Sequence, residues 1–304
     1  MSFKEGKSAL FELEVSLPDS LLTAQAQRLV GFKGRYERIH KNLTLLIDKD
    51  GLEQWSKKYY RKHMPLLDSL LDRYPLVVFH GDVGTGKTAT AEAVCNALAN
   101  ELHRDAILFK LSTQVRGSGN VGEMSTLINQ AFEVVVREAG KAKLSFLIID
   151  EADSLAASRS NNQSHHEDKV AVNTLIQKID DVRRLNGRVM MILCTNRFRA
   201  LDAAILRRVA YEEEFLRPDA SERRDLFNLD CEGLGFAPSE IEELVALTGP
   251  QVPQKVGFTF SDIRTRLLPE ALAGAYPSRK LEHADLVKAI SRVPPTASII
   301  EPKE

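Results

Sequence analysis

The sequence predicts an α/β protein: a doubly wound parallel sheet followed, after Pro218, by a small helical domain. Before Pro218, apolar runs of strand length alternate with segments whose apolar residues have helical spacing. After Pro218, helix-start signals dominate and β-branched runs are few. The predicted strands are residues 76–80, 106–111, 146–150, 189–194 and 212–216.

The segments between these strands fit the crossover helices that a parallel sheet needs. Residues 123–139 and 169–184 carry apolar side chains at helical spacing. In an open parallel sheet, ligands bind beyond the carboxyl ends of the strands. We therefore expect the functional residues to follow the strands directly.

The helical part of the chain has its own start signals. Ser221, Ser239, Ser261 and Glu282 each open a helical-looking stretch, and Pro294-Pro295 ends the last of them. The predicted division is an N-terminal segment and linker at 1–75, a large domain at 76–218, a helical lid at 219–293 and a loose tail at 294–304.

The composition is that of an ordinary globular chain. Its 304 residues are 43% hydrophobic and 27% charged, with a formal net charge of −1. That balance excludes overall disorder and gives no global electrostatic reason to bind nucleic acid. No apolar run is long enough to span a bilayer, and the first residues lack a signal-peptide stretch. We expect a cytoplasmic protein with no membrane partner.

Cysteines, histidines and one basic stretch each allow two interpretations. Cys95, Cys194 and Cys231 are isolated, which favours core thiols in a reducing compartment. His165-His166 could bind a metal, but their polar surroundings favour a loop. Residues 57–62 interleave two tyrosines with four cations. This stretch could suit nucleic acid, although a solvated helix face packed through its aromatic side chains is the favoured interpretation.

A phosphate-binding motif follows the first predicted strand. Residues 81–88 read Gly-Asp-Val-Gly-Thr-Gly-Lys-Thr and fit G-x-x-x-x-G-K-[ST]. Glycines allow backbone N–H groups to point at phosphates, Lys87 offers a cation to the β and γ oxygens, and Thr88 offers a hydroxyl to Mg²⁺. Residues 89–99 are Ala-rich and predict the helix that faces the anion.

The motif predicts binding of a nucleoside triphosphate. A chance glycine-rich turn is the alternative, and the strand before it and the helix after it argue against that reading. The predicted nucleotide contacts in this loop are Gly81, Val83, Gly84, Thr85, Gly86, Lys87, Thr88 and Ala89.

An acidic pair follows the third predicted strand. Asp150-Glu151 ends the apolar run 146–149, and strand ends of a parallel sheet meet at one edge. Asp150 is expected to hold Mg²⁺ together with Thr88, and Glu151 to orient and deprotonate the attacking water. An acidic pair is common in loops, but its position after a phosphate-binding motif favours these roles in magnesium binding and water activation.

These motifs together resemble those of the AAA+ ATPases over about residues 30–292. The resemblance adds Asn196, which follows the fourth strand, and the pair Arg207-Arg208. It implies that Asn196 senses the γ-phosphate and that Arg208, with Arg207 beside it, reaches the γ-phosphate in a neighbouring subunit. It therefore implies a homo-hexamer. The alternatives are a turn-forming Asn and a surface pair that caps a helix.

The resemblance also reaches the lid and two loops. Residues 257–264 resemble the segment with a second nucleotide-sensing residue, for which Arg264 is the candidate and Arg266 the competitor. Val30-Gly31 corresponds to the backbone that contacts adenine. Residues 115–123 correspond to a substrate-gripping pore loop without the usual aromatic residue, so the grip is expected from backbone, Val115, Val121 or Arg116.

Within the AAA+ ATPases, residues 168–180 and 188–196 are similar to the pachytene checkpoint ATPases, which remodel HORMA-domain proteins. Short bacterial relatives are associated with HORMA-like proteins and a cyclic-oligonucleotide synthase in anti-phage signalling. The resemblance implies an ATP- and Mg²⁺-dependent remodeller that disassembles the HORMA–synthase complex. A clamp-loader or helicase-loader relative and a slow nucleotide-switched scaffold are the alternatives. The net charge disfavours the first, and Glu151 disfavours the second.

Overall fold

The computed structural model describes residues 10–112, 123–140, 143–156, 166–250 and 256–299. These residues form one sheet with the strands β1 Phe11–Leu17, β2 Leu76–Gly81, β3 Ala106–Leu111, β4 Leu144–Ile149, β5 Val189–Thr195 and β6 Tyr211–Phe215. The strand order is β1-β3-β4-β5-β2-β6. Strands β2 to β6 correspond to the five predicted strands, so the expected α/β class is confirmed.

The centre of the sheet is parallel. Strand β3 pairs with β4, β4 with β5, and β5 with β2, all in parallel register. Strands β4 and β5 are buried at every position, as their continuous apolar sequences predict for strands covered on both faces. The carboxyl ends of β2, β4 and β5 therefore lie at one edge of the sheet.

Strand β1 adds an antiparallel edge, which was not predicted, to the predicted parallel sheet. It pairs antiparallel with β3, with Phe11 opposite Leu111 and Leu17 opposite Ala106. The rings of Phe11 and Phe109 lie 4.8 Å apart between centroids, which anchors this edge strand to the sheet. The seven residues of β1 alternate apolar and polar side chains throughout, a strand signal that the prediction of a linker overlooked.

The described helices are α1 Ser20–Gln27, α2 Phe32–Ile47, α3 Lys49–Tyr60, α4 Pro65–Leu71, α5 Lys87–Glu101, α6 Glu123–Ala139, α7 His166–Arg183, α8 Ala203–Leu206, α9 Ala220–Asp230, α10 Pro238–Leu247, α11 Leu268–Ala275 and α12 His283–Arg292. A π-helical turn, Asp262–Leu267, runs directly into α11. None of the helices in these ranges is long and apolar enough to cross a membrane.

The chain forms two compact units. The sheet unit contains the residues up to Ala26, Lys33–His80 and Thr88–Glu213. Its core joins the sheet to α6 and α7, where Phe132 and Ile179 are almost fully buried. The first 75 residues, predicted as an N-terminal segment and linker, supply β1 and helices α1 to α4.

The lid unit contains Gln27–Phe32, Gly81–Lys87 and Glu214–Glu304. Its core gathers apolar residues of α9, α10, α11 and α12, including Phe227 and Leu286. Helix α9 begins with a capping box between Asp219 and Glu222, two residues before the predicted start at Ser221. The phosphate loop groups with this unit, although the sequence placed it in the large domain.

Candidate functional site

The phosphate loop turns where the motif places its glycines. Gly81, Gly84 and Gly86 have φ angles of 135°, 71° and 89°, which disfavour any other residue. A Cβ on Gly81 would lie 2.1 Å from the carbonyl oxygen of Phe215, and one on Gly84 would lie 2.7 Å from Oγ1 of Thr259. The Phe215 backbone and the Thr259 side chain therefore leave no room for a Cβ at these two positions of the loop.

Lys87 is the first residue of α5 and folds over this loop. Its ammonium group is buried and donates to the carbonyl oxygens of Asp82 at 2.6 Å and Gly81 at 3.2 Å. The Thr85 hydroxyl donates to the same Asp82 carbonyl at 2.7 Å. A helix N-terminus and a fixed cation favour an anion at this place. Val83 and Gly86 are half-buried in the loop, and Ala89 is exposed.

In the sheet unit, the predicted magnesium ligands are in contact. Oγ1 of Thr88 donates to Oδ2 of Asp150 at 2.7 Å. A hydroxyl and a carboxylate side by side are oxygen ligands of the kind that Mg²⁺ prefers, so this pair fits the ion. Among the described residues, no group of three or more His, Cys, Asp or Glu is placed to hold a metal.

Glu151 has a backbone conformation that separates its side chain from that of Asp150. Its φ is 47°, and its side chain is exposed. The Glu151 amide donates to Oδ1 of Asp150 at 2.9 Å, and the Ser154 hydroxyl donates to the Glu151 carbonyl at 2.8 Å. A left-handed non-glycine residue costs about 1–3 kcal/mol and concentrates at functional sites. The turn directs one carboxylate to Thr88 and leaves the other at the surface.

Asn196 follows β5, at the same edge of the sheet as Asp150 and Glu151. The preceding Thr195 is buried and donates to Oδ1 of Asp153 at 2.7 Å, and it accepts a bond from the Arg197 amide at 3.0 Å. These bonds fix the backbone on both sides of Asn196. Asp153 was not among the predicted site residues, and its only signal in the sequence was its position two residues after Glu151.

The two arginines that follow α8 differ in their contacts: Arg208 is hydrogen-bonded within the chain, and Arg207 is exposed. Nε and Nη2 of Arg208 donate to Asp180 at 2.7 and 3.0 Å, and Nη1 donates to the Ala204 carbonyl at 2.8 Å. The hydrogen bond to Asp180 raises the pKa of Arg208, and the ring of Tyr74 lies under the guanidinium at 5.5 Å. In this conformation Arg208 is held by its own chain.

The lid candidates are bonded within the lid unit. Arg264 donates through Nε and Nη2 to Asp230 at 2.6 and 2.9 Å, and through Nη1 to the Arg28 carbonyl at 2.8 Å. The competitor Arg266 donates to Asp262 at 3.0 Å. The structure therefore does not bring the Arg264 guanidinium to the phosphate loop, and it assigns this side chain to the lid framework.

Two other lid-unit segments approach the predicted nucleotide contacts. The Ser261 amide donates to the Gly84 carbonyl at 3.1 Å, a contact that the sequence analysis missed because Ser261 read only as a helix start. Val30 packs against the lid core, and Gly31 has a φ of 71°. The bond from Arg264 to Arg28 holds the segment that contains Val30 and Gly31 on the lid.

Two predictions fall wholly or partly on residues that the structure does not describe. The pore-loop candidates Val115, Arg116 and Val121 lie outside the described residues, as does His165. The basic stretch 57–62 is described: the Trp55 ring contacts those of Tyr59 and Tyr60 at 6.1 and 5.3 Å. These rings pack on one another along α3, and all three side chains remain exposed.

Comparison with known proteins identifies the family. The sequence pattern of the ATPase family associated with various cellular activities (AAA) matches residues 77–217. A CD-NTase-associated protein 6 of Escherichia coli (strain KTE188) is 50% identical over 291 residues, which cover 95% of this chain and 97% of the relative. The chain belongs to the AAA ATPase family. A CD-NTase-associated protein 6 of E. coli (strain MS 115-1) is 39% identical over 309 residues, 99% of both chains.

Solved AAA structures agree with this assignment. A chain of the E. coli MS115-1 HORMA:CdnC:Trip13 complex has a TM-score of 0.88 and 40% identity over 96% of this chain and 98% of its own. Rhizobiales Trip13 has a TM-score of 0.71 and 33% identity over 95% and 100%. The AAA domain of FIGL-1 with ADP has a TM-score of 0.66 over 94% and 88%, and at 20% identity it supports the fold alone.

Proposed function

We propose that this AAA protein binds ATP with Mg²⁺ and hydrolyses it to ADP and phosphate. The observation that carries the proposal is the Thr88–Asp150 contact of 2.7 Å at the start of α5, directly after the glycine-rich loop. Bound Mg²⁺ would neutralise charge on the β and γ phosphates, with Thr88 and Asp150 as its protein ligands. Lys87 would exchange its loop carbonyls for phosphate oxygens.

The remaining residues have distinct proposed roles at the reacting phosphate. Glu151 takes a proton from the attacking water, for which its exposed carboxylate is suited. Asn196 can accept from that water and donate to phosphate through its amide. Arg208, with Arg207 beside it, stabilises charge on the phosphate of a neighbouring subunit in a hexameric ring. The loop glycines and the backbone at Val30 and Gly31 position the nucleotide.

Replacing Lys87 by alanine is expected to abolish ATP binding. The Lys87 ammonium is buried over the loop and donates to the carbonyl oxygens of Gly81 and Asp82, so its loss removes the cation that the motif offers to the phosphates. Titration calorimetry with Mg·ATP measures the loss, and Lys143→Ala, which removes an exposed lysine, is the control. Unchanged affinity in the Lys87→Ala chain would show that the nucleotide site lies elsewhere.

We further propose that ATP hydrolysis remodels a HORMA-domain protein and disassembles its complex with a cyclic-oligonucleotide synthase in anti-phage defence. Two similarities support this. The solved relative with a TM-score of 0.88 is part of a HORMA:CdnC:Trip13 complex, and the relatives with 50% and 39% identity are CD-NTase-associated proteins. On this proposal the protein works in the cytoplasm and keeps second-messenger synthesis off until infection.

The partner proposal predicts which macromolecule stimulates turnover. ATP hydrolysis is measured with a HORMA-domain protein encoded beside this chain, with its complex with the synthase, or with duplex DNA, and Glu151→Gln provides the blank. We expect stimulation by the protein complex together with a loss of cyclic-oligonucleotide production. Stimulation by DNA alone would contradict the proposal and favour a nucleic-acid machine.

A further inference from the structure

A buried carboxylate stands inside the phosphate loop. Asp82 is 2% exposed, and its side chain accepts bonds from Nε of Arg217 at 2.6 Å, the Val83 amide at 2.9 Å and the Ile299 amide at 3.3 Å. A negative charge in a loop that binds phosphates repels the ligand unless a cation neutralises it. The donors on Asp82 therefore bear directly on whether the loop can accept an anion.

Arg217 is the cation that meets this requirement. The Arg217–Asp82 ion pair is nearly buried on both sides, with side-chain exposures of 13% and 2%. Its remaining nitrogens donate to the Gly257 carbonyl at 2.6 Å and to the Thr296 carbonyl at 2.7 Å. One guanidinium thus joins the phosphate loop, the chain before the π-helical turn and the C-terminal tail.

The described part of the tail, residues 294–299, is bound to the lid unit through Thr296, whereas a loose tail was predicted for 294–304. The Thr296 amide donates to Oδ2 of Asp262 at 3.1 Å, and its hydroxyl donates to Oδ1 of the same carboxylate. Asp262 also accepts from the Thr259 amide at 3.0 Å. Thr259 in turn lies against Gly84, so the tail reaches the phosphate loop by a second route.

The ionisation of Asp82 follows from the same contacts. Burial raises the pKa of this carboxyl, but hydrogen bonds from Arg217, Ser298 and the amides of Ile299 and Val83 lower the pKa below its usual value. Asp82 is therefore charged at neutral pH, and its charge is balanced by Arg217. Without the Arg217 charge, this carboxylate would remain buried in the phosphate loop without the cation that now balances it.

We propose that Arg217 and tail residues 296–299 are positioning elements of the nucleotide site, which neutralise Asp82 and hold the phosphate loop in the form that receives ATP. Neither element belongs to the phosphate-binding motif, and Arg217 acts on the nucleotide through Asp82. The proposal rests on the proposed nucleotide binding and adds residues that determine its strength.

The test is a double-mutant cycle in the full-length chain, with substitutions that remove one charge each. Arg217→Gln leaves the buried carboxylate unpaired, so a fluorescent ATP analogue should bind about tenfold or more weakly. Asp82→Asn should bind at least as tightly as the unmodified chain, and the double variant should recover affinity to within about threefold. Arg292→Gln, which breaks an exposed lid ion pair with Glu270, is the matched control and should bind normally.

Hydrogen exchange of residues 81–87 without nucleotide gives an independent readout. We expect faster exchange in Arg217→Gln and recovery in the double variant. Normal binding by Arg217→Gln would overturn the proposal, as would equal losses in the single and double variants, because rescue requires removal of the Asp82 charge. If Arg217→Gln did not fold, the ATP affinities of Asp82→Asn and of the double variant would be compared. Because Arg217 is proposed to act through Asp82, these two affinities should be equal, and unequal affinities would overturn the proposal. Absence of binding by the unmodified chain would instead refute the nucleotide site itself.

Discussion

A Glu151→Gln chain is expected to hydrolyse ATP about 10²–10⁴-fold more slowly than the unmodified chain while it keeps its ATP affinity. Glutamine has the same shape but cannot take a proton from water. Asp150 accepts a hydrogen bond from Thr88, and Glu151 is exposed after the turn at φ 47°, so the proposed tasks of the two carboxylates can be tested separately. Loss of the second carboxylate should leave the magnesium ligands intact.

Steady-state phosphate release and binding of a fluorescent ATP analogue separate these effects. The variant should trap ATP and favour the assembled ring, which analytical ultracentrifugation detects. Glu212→Gln removes another exposed glutamate, on β6, and should leave turnover unchanged. Unchanged turnover in Glu151→Gln would remove this residue from catalysis. Lost affinity would instead indicate that the turn at Glu151 holds the nucleotide site together.

The parallel centre of the sheet was predictable because its buried strands have continuous apolar sequences. Strands buried on both faces need continuous apolar runs, and β4 and β5 have them. The phosphate loop was predictable because its φ angles, the Phe215 backbone beside Gly81 and the Thr259 side chain beside Gly84 favour glycine at both positions. The Thr88–Asp150 contact followed from these two patterns, since strand ends of a parallel sheet meet at one edge.

The remaining features depend on contacts between residues far apart in sequence. Arg217 and Asp82 are 135 positions apart, and no local sequence pattern predicts their ion pair. The tail after Pro294-Pro295 is attached to Asp262 through the amide and hydroxyl of Thr296, and no periodic pattern of apolar residues marks such bonds. Arg264 lies in the segment that the family resemblance indicated, but the distant Asp230 decides where its guanidinium points. Pairings of this kind are visible only in the folded chain.

Arg208→Ala is expected to lower ATP turnover about 10³–10⁵-fold if its guanidinium stabilises the transferred phosphate of a neighbouring subunit. In the single chain Arg208 is bound by Asp180 on α7 and lies over Tyr74. To reach a neighbour it must exchange Asp180 for the phosphate, which carries more negative charge. Arg207→Ala tests the exposed member of the pair, and Arg184→Ala, at 81% side-chain exposure, is the matched control with normal turnover.

Subunit mixing decides whether Arg208 acts across an interface or only braces its own chain. Arg208→Ala subunits keep the phosphate loop, and Lys87→Ala subunits keep Arg208, so each kind is inactive alone for a different reason. In a mixed ring, a Lys87→Ala subunit can present Arg208 to the intact nucleotide site of its Arg208→Ala neighbour. Turnover should therefore reappear on mixing and rise with the fraction of such interfaces. If Arg208 acted only through its bond to Asp180, no mixture would be active, because no interface would combine a working loop with a working arginine.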